Sequence, residues 1–215
     1  MTARPASAAA APGEPDHPGG RHHGNRYRRS EEARVAVLEA VDDLLAERGL
    51  AGVTIEGIAA RAQVAKQTIY RWWTSLTDIL FDALVADLPG EFSLPDHGDL
   101  GRDLREHLRQ VAAFLTESDA GAVWRALAGQ ALQDPAVAAR FEVAVTASLR
   151  ERDRRPFERA RARGDLPVGV DVERAVDELV GPVYYRALIT GQPVSPAFTD
   201  ALVDRLLPAW TARTA

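Results

Sequence analysis

From Ser30 onward, apolar residues recur every three or four positions, and no convincing alternation of apolar with polar residues appears. That period predicts an all-α protein of about nine helices. Ser30 followed by Glu31 and Glu32 reads as an N-cap with first-turn acids. Val37, Val41, Leu44 and Leu45 then share one face, and Gly49 stops the helix. Thr54 is placed to cap a short helix whose Ile55, Ile58 and Ala59 turn inward. The chain turns at Gln63-Val64-Ala65, a second short helix runs from Lys66 to about Trp73, and a longer one runs from about Leu76 to Leu88, ended by Pro89-Gly90.

Pro95 and Gly98 mark 91–98 as a loop dividing a helical head, 30–90, from a second domain, 99–215. In that domain the pattern predicts helices over 99–117, 120–132, 135–162, 171–190 and 196–212. Pro156, lacking an amide and crowding the carbonyl four residues back, is expected to kink or split the third near Arg155.

With 215 residues, 46% of them apolar, the chain can bury a sizeable core. Cysteine is absent, which excludes disulfides, thiolate metal sites and a cysteine nucleophile, and the reducing cytoplasm is the expected compartment. No stretch approaches the roughly 18 uninterrupted apolar residues of a membrane-spanning helix. Thirteen of the first 20 residues are Ala, Pro or Gly, so 1–29 is expected to be a disordered arm. Its last nine residues gather Arg21, His22, His23, Arg26, Arg28 and Arg29.

A net charge of -5 does not by itself suggest a phosphate-rich partner, but the charge is unevenly placed. Residues 21–82 hold nine basic and nine acidic side chains, whereas 83–215 hold 16 and 20. From 61 to 77 there are Arg61, Lys66 and Arg71 and no acid. This window overlaps the two short helices of 54–73, whose three-residue turn has helix-turn-helix spacing. Ile69 and Trp73 would lock the second helix onto the head, leaving Lys66, Gln67, Thr68, Tyr70 and Arg71 outward. Those donors, acceptors and cations suit base edges and phosphates in a major groove.

With Thr54, Ile58-Ala59, the Ala62-Gln63-Val64 turn, Thr68 to Trp73 and Ile79-Leu80 in place, the chain resembles the tetracycline-repressor (TetR) family of bacterial transcription regulators. The resemblance extends to one subgroup of that family's second domains through Ala162 to Leu166, Tyr184-Tyr185-Arg186 and Gly191-Gln192-Pro193. It implies DNA contacts from Thr54, Gln63, Ala65, Lys66, Gln67, Thr68, Tyr70, Arg71 and Trp72, with Trp73 in the core. It departs at Leu76, where the family has a phosphate-contacting lysine, a contact that Arg71 or Trp72 would have to offset. Arg28 and Arg29 of the arm are further candidates for phosphate or minor-groove contacts, against plain solvated disorder.

For the second domain the resemblance implies dimerisation and a small-molecule effector. Two-sided apolarity in the last helix places Val176, Val180, Val183, Phe198, Leu202, Leu206 and Trp210 at the candidate interface of a homodimer. The candidate effector pocket comprises Phe114, Trp124, Phe141, Tyr184 and Tyr185, residues that could equally be plain core. His97 and His107 read as surface or satisfied groups. The run Arg150–Arg163, seven arginines against three acids, reads as a solvated face rather than a second nucleic-acid patch.

The function expected is a repressor that binds a near-palindromic operator in double-stranded DNA, without cofactor, metal or membrane. The alternatives are an activator, an orphan regulator without ligand, or a helical carrier or enzyme. Against the last stands the lack of a nucleophile with a base, of a metal-spaced cluster and of a phosphate-binding glycine loop.

Overall fold

The computed structural model describes residues 22–93 and 95–212, whose regular structure is entirely helical. The head comprises α1 (His22–Arg48), a 3-10 turn (Leu50–Gly52), α2 (Ile55–Arg61), α3 (Lys66–Tyr70) and α4 (Leu76–Glu91). Val37, Val41 and Leu44 of α1 meet Ile58, Ile69, Ile79 and Leu84 in a fully buried core, as the apolar stripes require.

Two boundaries in the head differ from expectation. Helix α1 starts at His22, so Ser30 is not its N-cap and 22–29 is helical rather than a disordered arm. The Ser30 hydroxyl instead accepts a hydrogen bond from Arg71, 2.8 Å away, and Arg28 pairs with Glu32 one turn on. The tail before His22 lies outside the described residues. Helix α4 passes through Pro89-Gly90 to Glu91. Pro89 leaves the Val85 carbonyl without its helical donor, and because this stretch faces solvent, water can take its place.

The second domain holds α5 (Leu100–Thr116), α6 (Asp119–Ala131), α7 (Pro135–Phe141), α8 (Ala147–Arg163), α9 (Val172–Tyr184) and α10 (Pro196–Thr211). Side chains of Asp99, Ser118, Asp134, Asp171 and Ser195 cap five of them, each accepting from an otherwise unpaired first-turn amide. A π turn (Glu142–Thr146) joins α7 to α8, and another (Tyr185–Thr190) extends α9, giving nine continuous rods among the described residues. The split expected at Pro156 does not occur: α8 continues through it. Pro156, Phe157 and Ala160 are buried together, and that packing offsets the lost backbone bond.

Helix α5 lies at the centre, with Leu104, Leu108, Val111 and Leu115 buried against α6, α8, α9 and α10. Its approach to α6 depends on Gly121, where a methyl group would stand 1.6 Å from the Phe114 carbonyl oxygen. Helix α4 packs on α1 of the head and on α6 of the second domain, so it belongs to both. Near that junction, partial burial and repulsion from Asp87, Asp43, Asp119 and Glu39 push the Asp42 carboxyl up from 3.8 to about 6, though it keeps contact with solvent.

Both features bear on stability. Gly121→Ala should cost about 1–3 kcal/mol in urea unfolding, because neither backbone can retreat from the other. Asp42 carries a folded-state pKa above its unfolded one, so the folded chain loses stability as pH rises from about 4 to about 6. Asp42→Asn should therefore raise the thermal midpoint at pH 7, and the gain over the parent should shrink as pH falls through that window.

Candidate nucleic-acid interface

Helices α2 and α3 are set by their caps and by one unusual turn. Thr54 is extended, and its hydroxyl oxygen accepts from the Gly57 amide at 3.0 Å, leaving the hydroxyl proton for a phosphate oxygen. Gln63 adopts φ 55, the only non-glycine in the left-handed region among the described residues. The turn closes through the Val64 amide on the Ala59 carbonyl at 3.1 Å. Ile69 and Trp73 then anchor α3 in the core. On its other side Gln63, Ala65, Lys66, Gln67, Tyr70, Arg71 and Trp72 are exposed and Thr68 is half-buried, a surface continuous with Thr54. Tyr70 and Trp72 are 51% and 41% exposed, too much for side chains whose role is core packing.

The cations of this surface are less free than the acid-free window suggests. Arg61 is ion-paired with Asp43, at 3.0 Å, and with Glu47, both on α1, so it braces the head instead of facing outward. Lys66 pairs with Glu56, whose carboxyl it holds below the usual range. Arg71, tied to Ser30, forms no ion pair among the described residues. Leu76 opens α4 half-buried against the core, so no cation replaces the missing lysine there. Arg28 is exposed and engaged with Glu32; the Arg29 side chain lies outside the described residues.

What orients α3 was not found in the sequence. The Trp73 indole N–H donates to Asp82 of α4 at 2.9 Å, and the same carboxylate oxygen accepts from Arg34 of α1 at 3.2 Å. One turn earlier, Ser75 and Asp78 form a capping box at the start of α4. Arg140 of α7 reaches this point from the second domain: it pairs with Asp78, lies 3.8 Å from Asp82, and stacks on the Phe81 ring at 4.2 Å. Partial burial opposes ionisation of Asp78, but hydrogen bonds from Thr74, Ser75 and Arg140 outweigh it and hold the carboxyl at about 2. The Ser75-x-x-Asp78 spacing was a readable cap signal; Arg140 lies 62 residues beyond Asp78 and carried none.

In the second domain, Phe114, Trp124, Phe141 and Tyr184 do meet, with ring centroids 5.5–6.5 Å apart along the chain of contacts, joined by Phe81 and Phe92. Tyr185 does not join them; the π turn leaves it 61% exposed. The rings are packed against one another, and none of the five lines the adjacent cavity of about 540 Å³, whose walls come from the end of α4, the first π turn and α8. Val176, Val180, Val183 and Trp210 are buried within the single chain as part of its own core. Phe198, Leu202 and Leu206 are half-buried, and Tyr185, Leu188 and Ile189 add exposed apolar surface that was not expected. His107 is buried on Asp153 at 2.9 Å, and His97 bonds Asp103 at 2.8 Å. The arginine run is an ion-paired face: Arg150 and Arg154 meet Glu173 at 3.2 Å, and Arg163 meets Asp96 at 3.0 Å.

Comparison with known proteins agrees with this architecture. Residues 37–83 match the model of bacterial regulatory proteins of the tetR family, and 94–206 match the tetracyclin repressor-like C-terminal domain. The HTH-type transcriptional regulator YdeS of Bacillus subtilis is 33% identical over 81% of this chain and 88% of its own. The DNA-binding transcriptional repressor TetR of Mycobacteroides abscessus is 28% identical over 83% and 94%. The crystal structure of TetR family transcription regulator SCO0332 superposes with a TM-score of 0.70 at 35% identity, covering 82% of this chain and 97% of that one. The head with its exposed α3, the helical second domain and these relatives together place the chain in the TetR family of helix-turn-helix transcriptional regulators.

Proposed function

We propose that this regulator is a homodimeric, effector-responsive repressor that places α3 of each copy in successive major grooves of a near-palindromic operator. One observation carries the reading: the helix that seats α3 through Asp82 is the helix whose far end, from Val85 to Phe92, walls the cavity of the second domain. A molecule that moves α4 moves the reading head with it, and Arg140 supplies the polar strut between them. Helix α4 thus gives the two sites a shared element with which to bias one equilibrium. Thr54, Gln63, Ala65, Lys66, Gln67, Thr68, Tyr70, Arg71 and Trp72 form the DNA surface, with Arg28 and Arg29 at its edge. The partner copy packs on Phe198, Leu202 and Leu206 together with Tyr185, which shares a groove with Phe198. The chain works in the cytoplasm, where its operator is, and has no catalytic activity of its own.

Footprinting across the neighbourhood of its own gene tests the reading; absence of any protected site would count against it. Lys66→Ala and Tyr70→Ala should each weaken operator binding by about 1–3 kcal/mol in gel shifts, with helicity and assembly state unchanged. For Lys66→Ala the salt dependence should also flatten by about one counterion. Arg140→Gln touches no DNA, so it should lower affinity several-fold at an unchanged salt slope, because a smaller fraction of molecules holds the competent head position.

A further inference from the structure

The cavity beside α4 has an apolar body and one end lined by two guanidinium groups. Val85, Leu88, Pro89, Phe92, Ala144 and Leu149 supply carbon walls, whereas Arg152 and Arg155, three apart on one face of α8, supply guanidinium groups. Arg152 is only 6% exposed. Its Nε donates to Asp153 at 2.7 Å, and its plane lies over the Phe92 ring at 4.0 Å. Its Nη1 is buried without a hydrogen-bond partner, and a guanidinium nitrogen held that way is costly unless something accepts from it. Asp153 sits on the Nε–Nη2 edge of the guanidinium, where one of its oxygens takes both nitrogens and the His107 ring, so Nη1 lies on the far side from it; the buried Tyr184 hydroxyl also interacts with this guanidinium. Arg155 forms no ion pair among the described residues. Glu151, the one acid on the wall, and Arg155 are both exposed and screened alike, whereas Arg152, its charge balanced by Asp153, offers a ligand the buried donor Nη1.

Resting on the effector reading above, we propose that this cavity binds a small organic acid with a ring-sized apolar body. Its carboxylate is taken by Arg152 and Arg155, and its body lies on Phe92, Leu88 and Leu149. A bidentate carboxylate matches the planar donor geometry of a guanidinium, and a volume of about 540 Å³ fits a molecule of one to two rings plus that group. An uncharged planar molecule would fill the same space but leave Nη1 as it is.

Titration calorimetry on the full chain with naphthoate and its uncharged counterpart naphthamide tests this, with benzoate and decanoate as smaller and unbranched acids. Naphthoate is expected to bind about tenfold or more tightly than naphthamide. Arg152→Gln should abolish that preference, and Ala144→Trp, which fills the cavity from a half-exposed wall position, should abolish binding. If Arg152→Gln fails to fold by circular dichroism, Arg155→Gln at an exposed position should still reduce the preference. Equal binding of naphthamide, naphthoate binding that Ala144→Trp leaves untouched, or no binding of any of the three acids would overturn the proposal. The effector reading is judged separately by gel shift: naphthoate that binds the cavity without releasing DNA removes the effector role and leaves the site. Release by an uncharged molecule alone removes the acid specificity and leaves the regulator.

Discussion

The Asp82 carboxylate is the interaction on which the geometry of the reading head depends. Helix α3 has five residues, too few to hold an orientation by its own hydrogen bonds. Its setting comes from its anchors: Ile69 and Trp73 are buried, and the Trp73 indole N–H is bound to Asp82 on α4, whose carboxylate also takes Arg34 of α1. Three elements converge on one acid. A hydrophobic anchor alone would permit the indole to rotate in its socket, whereas the hydrogen bond selects one setting and so fixes which side chains of α3 face outward.

The same stretch of α4 ties the head to the second domain. Asp78 finishes the cap of α4 and accepts Arg140 of α7, so neighbouring turns of one helix carry the seat of α3 and the strut to the second domain. The rings of Phe81 and Phe141 continue that contact into the aromatic cluster, and Phe141 is the residue next to Arg140. The first π turn begins immediately after Phe141. Such turns widen the helix by one residue and are often found at functional sites. Here it lines the cavity through Ala144 and leads into the α8 residues that form the rest of that wall.

Charge shows how far a linear reading can mislead. The window 61–77 holds no acid in sequence, yet Glu56 reaches Lys66 from α2 and Asp43 and Glu47 reach Arg61 from α1. The reading surface is therefore closer to neutral in the free protein than its sequence suggests, and a phosphate must compete with Glu56 for Lys66. In the second domain the arginines of 150–163 are mostly neutralised by α9, by the interdomain loop and, for Arg152, by the adjacent buried Asp153, while the buried Nη1 of Arg152 is a donor that no count of charges would find.

The sequence by itself determined the helical class, the helix-turn-helix with its exposed Lys66, Gln67, Tyr70 and Arg71, and the core role of Ile69 and Trp73. These rest on local periodicity and on caps such as Thr54, and such signals act over one or two turns of chain. Only the tertiary structure decided that Val176, Val180, Val183 and Trp210 pack into the chain's own core, since a helix with two apolar faces does not say which neighbour covers each. The rotation of Tyr185 away from Tyr184, the passage of α8 through Pro156 and the extension of α1 back to His22 depend likewise on packing and ion pairs that form only in the folded chain. The Asp82 clasp, the Arg140 strut and the stacking of Arg152 on Phe92 join residues from elements far apart in sequence. Electrostatic and steric contacts of that kind leave no period in the chain, because space and not spacing selects the partner.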